Sequence, residues 1–294
     1  MKPSPFDYKK VSTLSEALDV YSEDEERESR LLAGGQSLVP MMNLRLARPE
    51  LLIDLNHIEE LNYINESENC IEIGAITRLR TVEMDERIND LVPLLREAIS
   101  HVAHTAIRTR GTIGGNVAHA DPSAEIPTVL VALEGEVIAS SSLGDRTIPA
   151  KDFFLGAFLT ELNEREIVKS IRIPKEGENS GSAFVEFAPR HGDFAIVGVA
   201  AFLAHDGSGY LNSVRLAVAG VDGKPLDVSS EASSLLGKDE ITLDLLDEVA
   251  NNVIGRVEPG DDIHASAEFR RELSQTLTIK ALNLAWNRLG EPNE

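Results

Sequence analysis

The sequence predicts an α+β protein, and three observations carry that expectation. Up to about residue 176, short apolar strands alternate with amphipathic helical stretches. A polar, glycine-containing segment without periodicity, Lys175 to Gly181 (KEGENSG), then interrupts the pattern and reads as a linker. Beyond it, three strand candidates precede two helices, an order that marks α+β rather than a repeating α/β unit. A chain of 294 residues has room for two or three structural units with adequate cores.

The elements follow in order. Thr13 with Glu16 reads as a capping box opening a short helix through Ala17, Leu18 and Tyr21. The charged run Glu23 to Glu28 reads as a solvated turn. Arg30 to Ala33 is a strand broken by Gly34-Gly35, and Leu51 to Leu55 is another, behind Pro49. Cys70 to Ala75 alternates as a strand ending at Gly74. Leu94, Leu95, Ala98, Ile99 and Val102 give Pro93 to His104 a helical spacing, and Gly111 to Asn116 reads as a glycine-rich loop. Ile126 to Leu133 suits a buried helix starting near Pro127. Val137 to Ser141 and Arg146 to Ile148 flank Leu143-Gly144-Asp145 as a hairpin, and Ile167 to Ile173 is a strand closed by Pro174. After the linker, strands are expected over Ala183 to Ala188, Ala195 to Leu203 and Val214 to Val221. Helices follow over about Leu243 to Ile254 and Glu268 to Leu289, the second with Leu273, Leu277, Lys280, Ala281, Leu284 and Ala285 on one stripe.

Bulk properties exclude several functions. A formal net charge of −21 is the wrong sign for displacing counterions from a nucleic acid or for adhering to an anionic membrane. The excess acid serves either solubility, including in a saline cytoplasm, or electrostatic matching to a basic partner. One cysteine, Cys70, allows no intramolecular disulfide and suits a reducing compartment. An iron–sulfur cluster needs about four thiolates, so any such cluster must sit on another polypeptide. His101 and His104 share a helix face without a third ligand to complete a metal site. Met1 to Lys10 lacks the apolar core of a signal peptide, and Ala195 to Ala204 is about half a membrane span, so a cytoplasmic protein is expected.

Two glycine-rich segments carry the candidate chemistry. The first, Leu32-Ala33-Gly34-Gly35-Gln36-Ser37-Leu38, follows a strand; the second is Gly111-Thr112-Ile113-Gly114-Gly115-Asn116. Paired glycines permit positive φ and let successive N–H groups converge on an anion, with Ser37, Thr112 and Asn116 as side-chain donors. Two facing turns can hold a diphosphate. A Gly-Gly pair after a strand is equally a plain tight turn. Neither segment is a Rossmann G-x-G-x-x-G or a P-loop. Gly114→Val is expected to abolish cofactor binding by blocking backbone approach.

The first segment and the run Ile107 to Pro127 (IRTRGTIGGNVAHADPSAEIP) closely resemble the two FAD signatures of the molybdenum hydroxylase flavoproteins, the aerobic carbon monoxide dehydrogenase and xanthine dehydrogenase type. The resemblance covers nearly the whole chain. It implies a para-cresol methylhydroxylase-like FAD-binding domain over residues 1–176, built of two α/β subdomains (about 1–56 and 57–176), and a smaller C-terminal α+β domain over 177–294. It places Leu32, Ala33, Gly34, Gly35, Gln36, Ser37 and Leu38 on one side of FAD and Thr112, Ile113, Gly114, Gly115 and Asn116 on the other. His119 and Asp121 match positions close to the cofactor. Glu125 matches a carboxylate that accepts hydrogen bonds from its sugar-like part. Arg190 to Ala195, with Asp193 and Phe194, matches a segment near the flavin ring, and Ile167 and Val168 match positions lining it. Other roles stay open: His119 as a polar core residue, Asp121 as a helix cap, Gly192-Asp193 as a simple turn, and Ile167 and Val168 as ordinary core. Thr105-Ala106 and Thr109 depart from the family pattern, as does Glu186, where some relatives carry a Lys able to stabilise reduced flavin.

No nucleophile, metal site or acid–base pair stands out, so no residue is expected to be catalytic in its own right; the flavin carries the chemistry. The resemblance implies an electron-transfer subunit that receives electrons through a [2Fe-2S] small subunit from a molybdopterin large subunit and passes them to an external acceptor, in a dimer of heterotrimers. The alternatives are a stand-alone FAD-dependent oxidoreductase of the same fold and an assembly protein that has lost FAD.

Overall fold

The computed structural model describes residues 2–23, 27–207 and 209–289. Residues 24–26 of the expected charged turn lie outside the described residues. The first unit contains β1 (Asp7–Lys10), α1 (Leu14–Glu23), β2 (Ser29–Leu32), α2 (Leu38–Asn43) and β3 (Leu51–Asp54). Thr13 Oγ1 accepts the Glu16 N–H at 3.1 Å, as the capping box requires, but the Glu16 carboxylate answers one residue early, on the Ser12 N–H at 2.9 Å. The three strands form a parallel sheet in the order β1-β3-β2, with Leu32 opposite Asp54. Because β2 and β3 run the same way in register, the segments leaving their carboxyl ends emerge side by side. That is where ligands sit in parallel sheets.

The second unit begins with β4 (Ile64–Glu66), β5 (Cys70–Gly74) and six helices: α3 (Leu79–Met84), α4 (Glu86–Leu91), α5 (Pro93–His101), α6 (Thr105–Arg108), α7 (Ile113–His119) and α8 (Glu125–Ala132). It closes with β6 (Glu136–Ser141), β7 (Gly144–Pro149), α9 (Ala150–Phe153), β8 (Phe154–Gly156), β9 (Leu159–Thr160) and β10 (Ile167–Pro174). Its main sheet is antiparallel, β4-β5-β10-β6-β7. Ser141 pairs with Gly144, so the hairpin turns on Ser142-Leu143 and not on Leu143-Gly144-Asp145. The second glycine segment is no simple loop either: Ile113 to Asn116 form the first turn of α7.

The third unit holds β11 (Ser180–Phe187), β12 (Val197–His205), β13 (Leu211–Ala219), β14 (Leu226–Asp227), α10 (Leu243–Arg256) and α11 (Ala267–Arg288). Its sheet is covered on both faces. Phe184, Ala200, Phe202 and Ala217 point into the core shared with α5 and α8, whereas Ala183, Val185, Val199, Ala201, Leu216 and Val218 point toward α10 and α11. Side chains alternate along a strand, so two buried faces explain the unbroken apolar run Ala195 to Ala204. The linker is shorter than expected. Ser180 and Gly181 already belong to β11, and Glu176 Oε1 accepts the Leu94 N–H at 2.9 Å. Gly181 is required by close approach, since a Cβ there would lie 2.7 Å from the Leu289 nitrogen. On α11 the buried face is Arg270, Ser274, Leu277, Thr278, Ala281, Leu282 and Ala285, while Lys280 is exposed. Small and hydroxyl side chains let this helix approach the sheet, and Ser274 satisfies its hydroxyl on the Arg270 carbonyl at 2.7 Å. Among the described residues no helix is long and apolar enough to cross a membrane.

Candidate functional site

The two glycine segments lie against each other. A Cβ on Gly34 would overlap the Arg110 carbonyl oxygen and stand 2.7 Å from the Gly111 Cα; one on Gly115 would stand 3.3 Å from the Ala33 Cβ. The gap between them is therefore set by backbone contact, with no apolar side chain between Gly34 and Gly111. Leu32 ends β2, Ala33 to Ser37 form the turn, and Leu38 opens α2. Gly35 has φ +72°, a conformation that favours glycine.

The two segments offer a ligand different things. Among the described residues, the N–H groups of Gly34, Gly35, Gln36 and Ser37 have no acceptor; Gln36 Nε2 donates to the Gly34 carbonyl at 2.9 Å, and the Gly35 and Ser37 carbonyls accept from the Val39 and Met41 N–H groups, both at 3.1 Å. The second segment leaves one N–H, that of Thr112, without an acceptor among the described residues. Ile113 donates to Thr77 O at 3.0 Å, Gly114 to Ala75 O at 2.9 Å, Gly115 to Thr112 Oγ1 at 3.1 Å and Asn116 to Thr112 O at 3.0 Å. The expectation of two symmetric nests is corrected accordingly: the first turn presents four consecutive unpaired amides, the second only that of Thr112 among the described residues. Gly114 is a glycine because its missing Cβ would fall 2.7 Å from the Ala75 Cα, not because a ligand must pass there. What the second segment does expose is Asn116, whose Oδ1 is buried without a hydrogen-bond partner. A buried polar atom left unmade is costly, and it is the kind of vacancy a bound polar group relieves.

Farther along the second motif, His119 ends α7 half-buried and stacks on Phe158 with ring centroids 5.0 Å apart; burial lowers its pKa, against the pull of Asp121. Asp121 does not cap α8: its Oδ1 accepts the Ser123 N–H at 2.9 Å, and the N-cap position belongs to Ala124. Glu125, the first residue of α8, is buried. Burial first, with the carboxylates of Glu186 and Asp121 adding to it, pushes its carboxyl up to about 8. A neutral, enclosed carboxyl at the end of the motif is a ready acceptor for hydroxyl groups. Ile167 and Val168 are buried core residues at the start of β10. Asp193 and Phe194 are exposed, on a turn whose Gly192 (φ +87°) presses against His104. Glu186 pairs with His101, Oε1 to Nδ1 at 3.2 Å, leaving Oε2 buried and unpartnered.

Sequence reasoning passed over Arg108, which braces the chain before the second segment, and Asn56, which ties the two segments together through Arg78. Arg108, nearly buried, forms a two-pronged ion pair with Glu83 (3.0 and 3.1 Å) and donates to the carbonyls of Val102 and Ala103, both at 3.0 Å. Asn56 leaves the end of β3 beside the first turn and donates to the Ala33 carbonyl at 2.8 Å; its Oδ1 accepts from Arg78 at 2.7 Å. Only the parallel register of β2 and β3 could have revealed Asn56.

A parallel sheet whose strand ends deliver an amide-rich turn, packed against a second turn with a buried free amide oxygen, is suited to hold an anionic group with hydroxyl donors beside it. Residues 4–176 match the FAD binding domain in molybdopterin dehydrogenase, and residues 182–285 match the CO dehydrogenase flavoprotein C-terminal domain. The chain is 36% identical to the 6-hydroxypseudooxynicotine dehydrogenase complex subunit alpha of Paenarthrobacter nicotinovorans, over 98% of this chain and 97% of that one. It is 35% identical to the glyceraldehyde dehydrogenase medium chain of Sulfolobus acidocaldarius, over 96% and 98%. A chain of the carbon monoxide dehydrogenase of Hydrogenophaga pseudoflava superimposes with a TM-score of 0.94 at 34% identity, covering 98% of this chain and all of that one. The chain thus belongs to the FAD-binding medium subunits of the molybdenum hydroxylase family. It is an oxidoreductase component, and its cofactor is FAD.

Proposed function

We propose that the chain carries electrons within a multi-subunit molybdenum hydroxylase, receiving them through an iron–sulfur subunit from a molybdopterin subunit and delivering them to an external acceptor. The unpaired amides of Gly34 to Ser37 facing the free Oδ1 of Asn116 carry this reading, since they are donors and an acceptor waiting for one polar ligand. In it, Ala33 to Ser37 hold the diphosphate with Leu32 and Leu38 at the ends of their turn, Thr112 to Asn116 wall its other side, and Glu125 accepts hydroxyls of the sugar-like chain. His119 and Asp121 border the cofactor, while Ile167, Val168, Asp193 and Phe194 define the surroundings of the ring. FAD, when bound, supplies the reversible redox chemistry; the protein binds, orients and shields it. Residues 1–176 form the cofactor domain, in subdomains divided near residue 56, and 177–294 the C-terminal domain. A single cysteine leaves the clusters to a partner chain. The working form is a cytoplasmic dimer of heterotrimers. The relatives named above act on a nicotine derivative, an aldehyde and carbon monoxide at similar identity, so the choice of substrate belongs to another subunit.

The test is direct. The chain expressed alone should show a flavin absorption spectrum and release FAD on denaturation. Expressed with its genomic neighbours, it should copurify with a large molybdenum subunit and a cysteine-rich small one. A colourless protein after soaking with FAD would overturn the assignment, and a flavoprotein that reduces its flavin with its own substrate would overturn the electron-transfer role.

A further inference from the structure

We infer that Arg78, held in place by Asn56, is a positioning residue for the FAD diphosphate: it fixes the spacing of the two glycine segments and supplies positive charge on the side where most backbone amides are spent. This rests on the FAD-binding reading above. The geometry begins at Asp54, a buried carboxylate at the end of β3. Burial alone would raise its pKa, but the hydroxyl of Tyr8 (2.5 Å) and the Asn56 amides hold it below the usual range. Its Oδ1 accepts from Asn56 Nδ2 at 2.5 Å, and the same Nδ2 reaches the Ala33 carbonyl of the first turn at 2.8 Å. The Asn56 side chain is thereby oriented with Oδ1 toward Arg78, which donates to it at 2.7 Å. The other arm of Arg78 donates to the Arg110 carbonyl, next to Gly111, at 2.5 Å. One side-chain relay therefore runs from the first turn to the second.

The charge of Arg78 is the second observation. Among the described residues no carboxylate lies within salt-bridge distance of it, although the chain has 49 acidic residues against 28 basic ones. Its pKa is lowered, by burial first and then by the neighbouring Arg110, against the weaker pull of the Asp54 carboxylate. A half-buried cation with no direct ion-pair partner, beside another arginine, is relieved by an incoming anion. A guanidinium has five donors in a planar fork, and only two directions are used here. With the amides of Ile113 to Asn116 spent within the fold, that of Thr112 is the one left open on that side, and Arg78, opposite Thr112, is placed to add the charge that complements a diphosphate.

The full-length apo-protein is titrated with FAD by fluorescence quenching and with ADP by competition, at low and high salt. Wild type is compared with Arg78→Met, Arg78→Lys and Asn56→Leu. Arg78→Met should raise the Kd for both nucleotides at least tenfold at low salt, with the gap narrowing as salt screens the charge. Asn56→Leu, which keeps the cation but frees it, should weaken FAD at least threefold with a salt dependence like that of wild type. Arg78→Lys should recover part of the loss, as the charge returns without the fork. Nucleotide affinities within twofold of wild type, with only the apo melting temperature lowered, would reduce the relay to a structural tie and overturn the inference. A salt-independent loss would overturn the electrostatic half of it. If Arg78→Met does not fold, Arg78→Lys decides: unchanged FAD affinity there is a refutation. A wild-type chain that binds no FAD would instead sink the reading on which the inference stands.

Discussion

Glu125 offers the sharpest quantitative test. Its carboxyl is pushed from 4.5 to about 8 in the folded chain, by burial above all. The folded state keeps the proton at neutral pH, while the unfolded chain releases it. An acid with a raised folded pKa costs nothing below its unfolded value, and the penalty grows as pH rises from there toward the folded value. With about 1.4 kcal/mol per pH unit, wild-type apo-protein loses under about 1 kcal/mol at pH 5 and roughly 3 kcal/mol at pH 7. Glu125→Gln removes the titration at nearly constant shape. The buried amide makes the same hydrogen-bond demand at every pH, so the slope is diagnostic and the intercept is not. Urea unfolding of both apo-proteins between pH 5 and 8 should show the stability of the variant relative to wild type climbing by roughly 2–3 kcal/mol from pH 5 to 7. A difference that stays flat would refute a neutral, buried Glu125. Hydroxyl donors on FAD favour the ionised form, so FAD uptake near pH 7 should also release a proton from wild type that the variant does not release.

Two further outcomes concern the scaffold. Arg108→Met should destabilise the chain by about 3 kcal/mol, the lower end for a broken buried pair because Arg80 still reaches Glu83 at 2.9 Å. Burial alone would raise the Glu83 carboxyl, but Arg108 and Arg80 hold it below its ordinary range. That stabilisation is present above the ordinary carboxylate value and lost as pH falls through the folded one, so denaturant melts of variant and wild type should converge on acidification. Gly114→Val should cost the apo-protein about 1–3 kcal/mol or more, because the added carbons meet the Ala75 backbone. Thermal melting without FAD checks it, and an unaltered apo-protein that merely fails to bind FAD would restore the view that Gly114 is there for the ligand.

Local rules carried far along this chain. The Thr13 cap, the strands ending at Leu32 and Pro174, and the two long C-terminal helices lie within a few residues of where periodicity and breakers put them. Short helices without a full apolar stripe, such as α2 with its internal Pro40, gave no periodic signal to find. On α11 all of the expected stripe but Lys280 packs inward, and the pattern omits Ser274 and Thr278 because close helix–sheet contact selects small and hydroxyl residues, which a hydrophobicity pattern passes over.

The sequence by itself determined the α+β class, the two glycine segments and, through a long and specific motif, the family and its FAD. Only the tertiary structure decided how those segments divide their labour. Whether an amide is free depends on which carbonyl folds against it, and no spacing along the chain encodes that: the amides of Gly34 to Ser37 stay open while those of Ile113 to Asn116 are consumed by Ala75, Thr77 and Thr112. Asn56 and Arg78 likewise join only because parallel strands bring separate carboxyl ends together and the chain near Arg78 pairs with Thr112. Local pattern reports what a residue prefers, and the assembled fold determines which preferences are left for a ligand to satisfy.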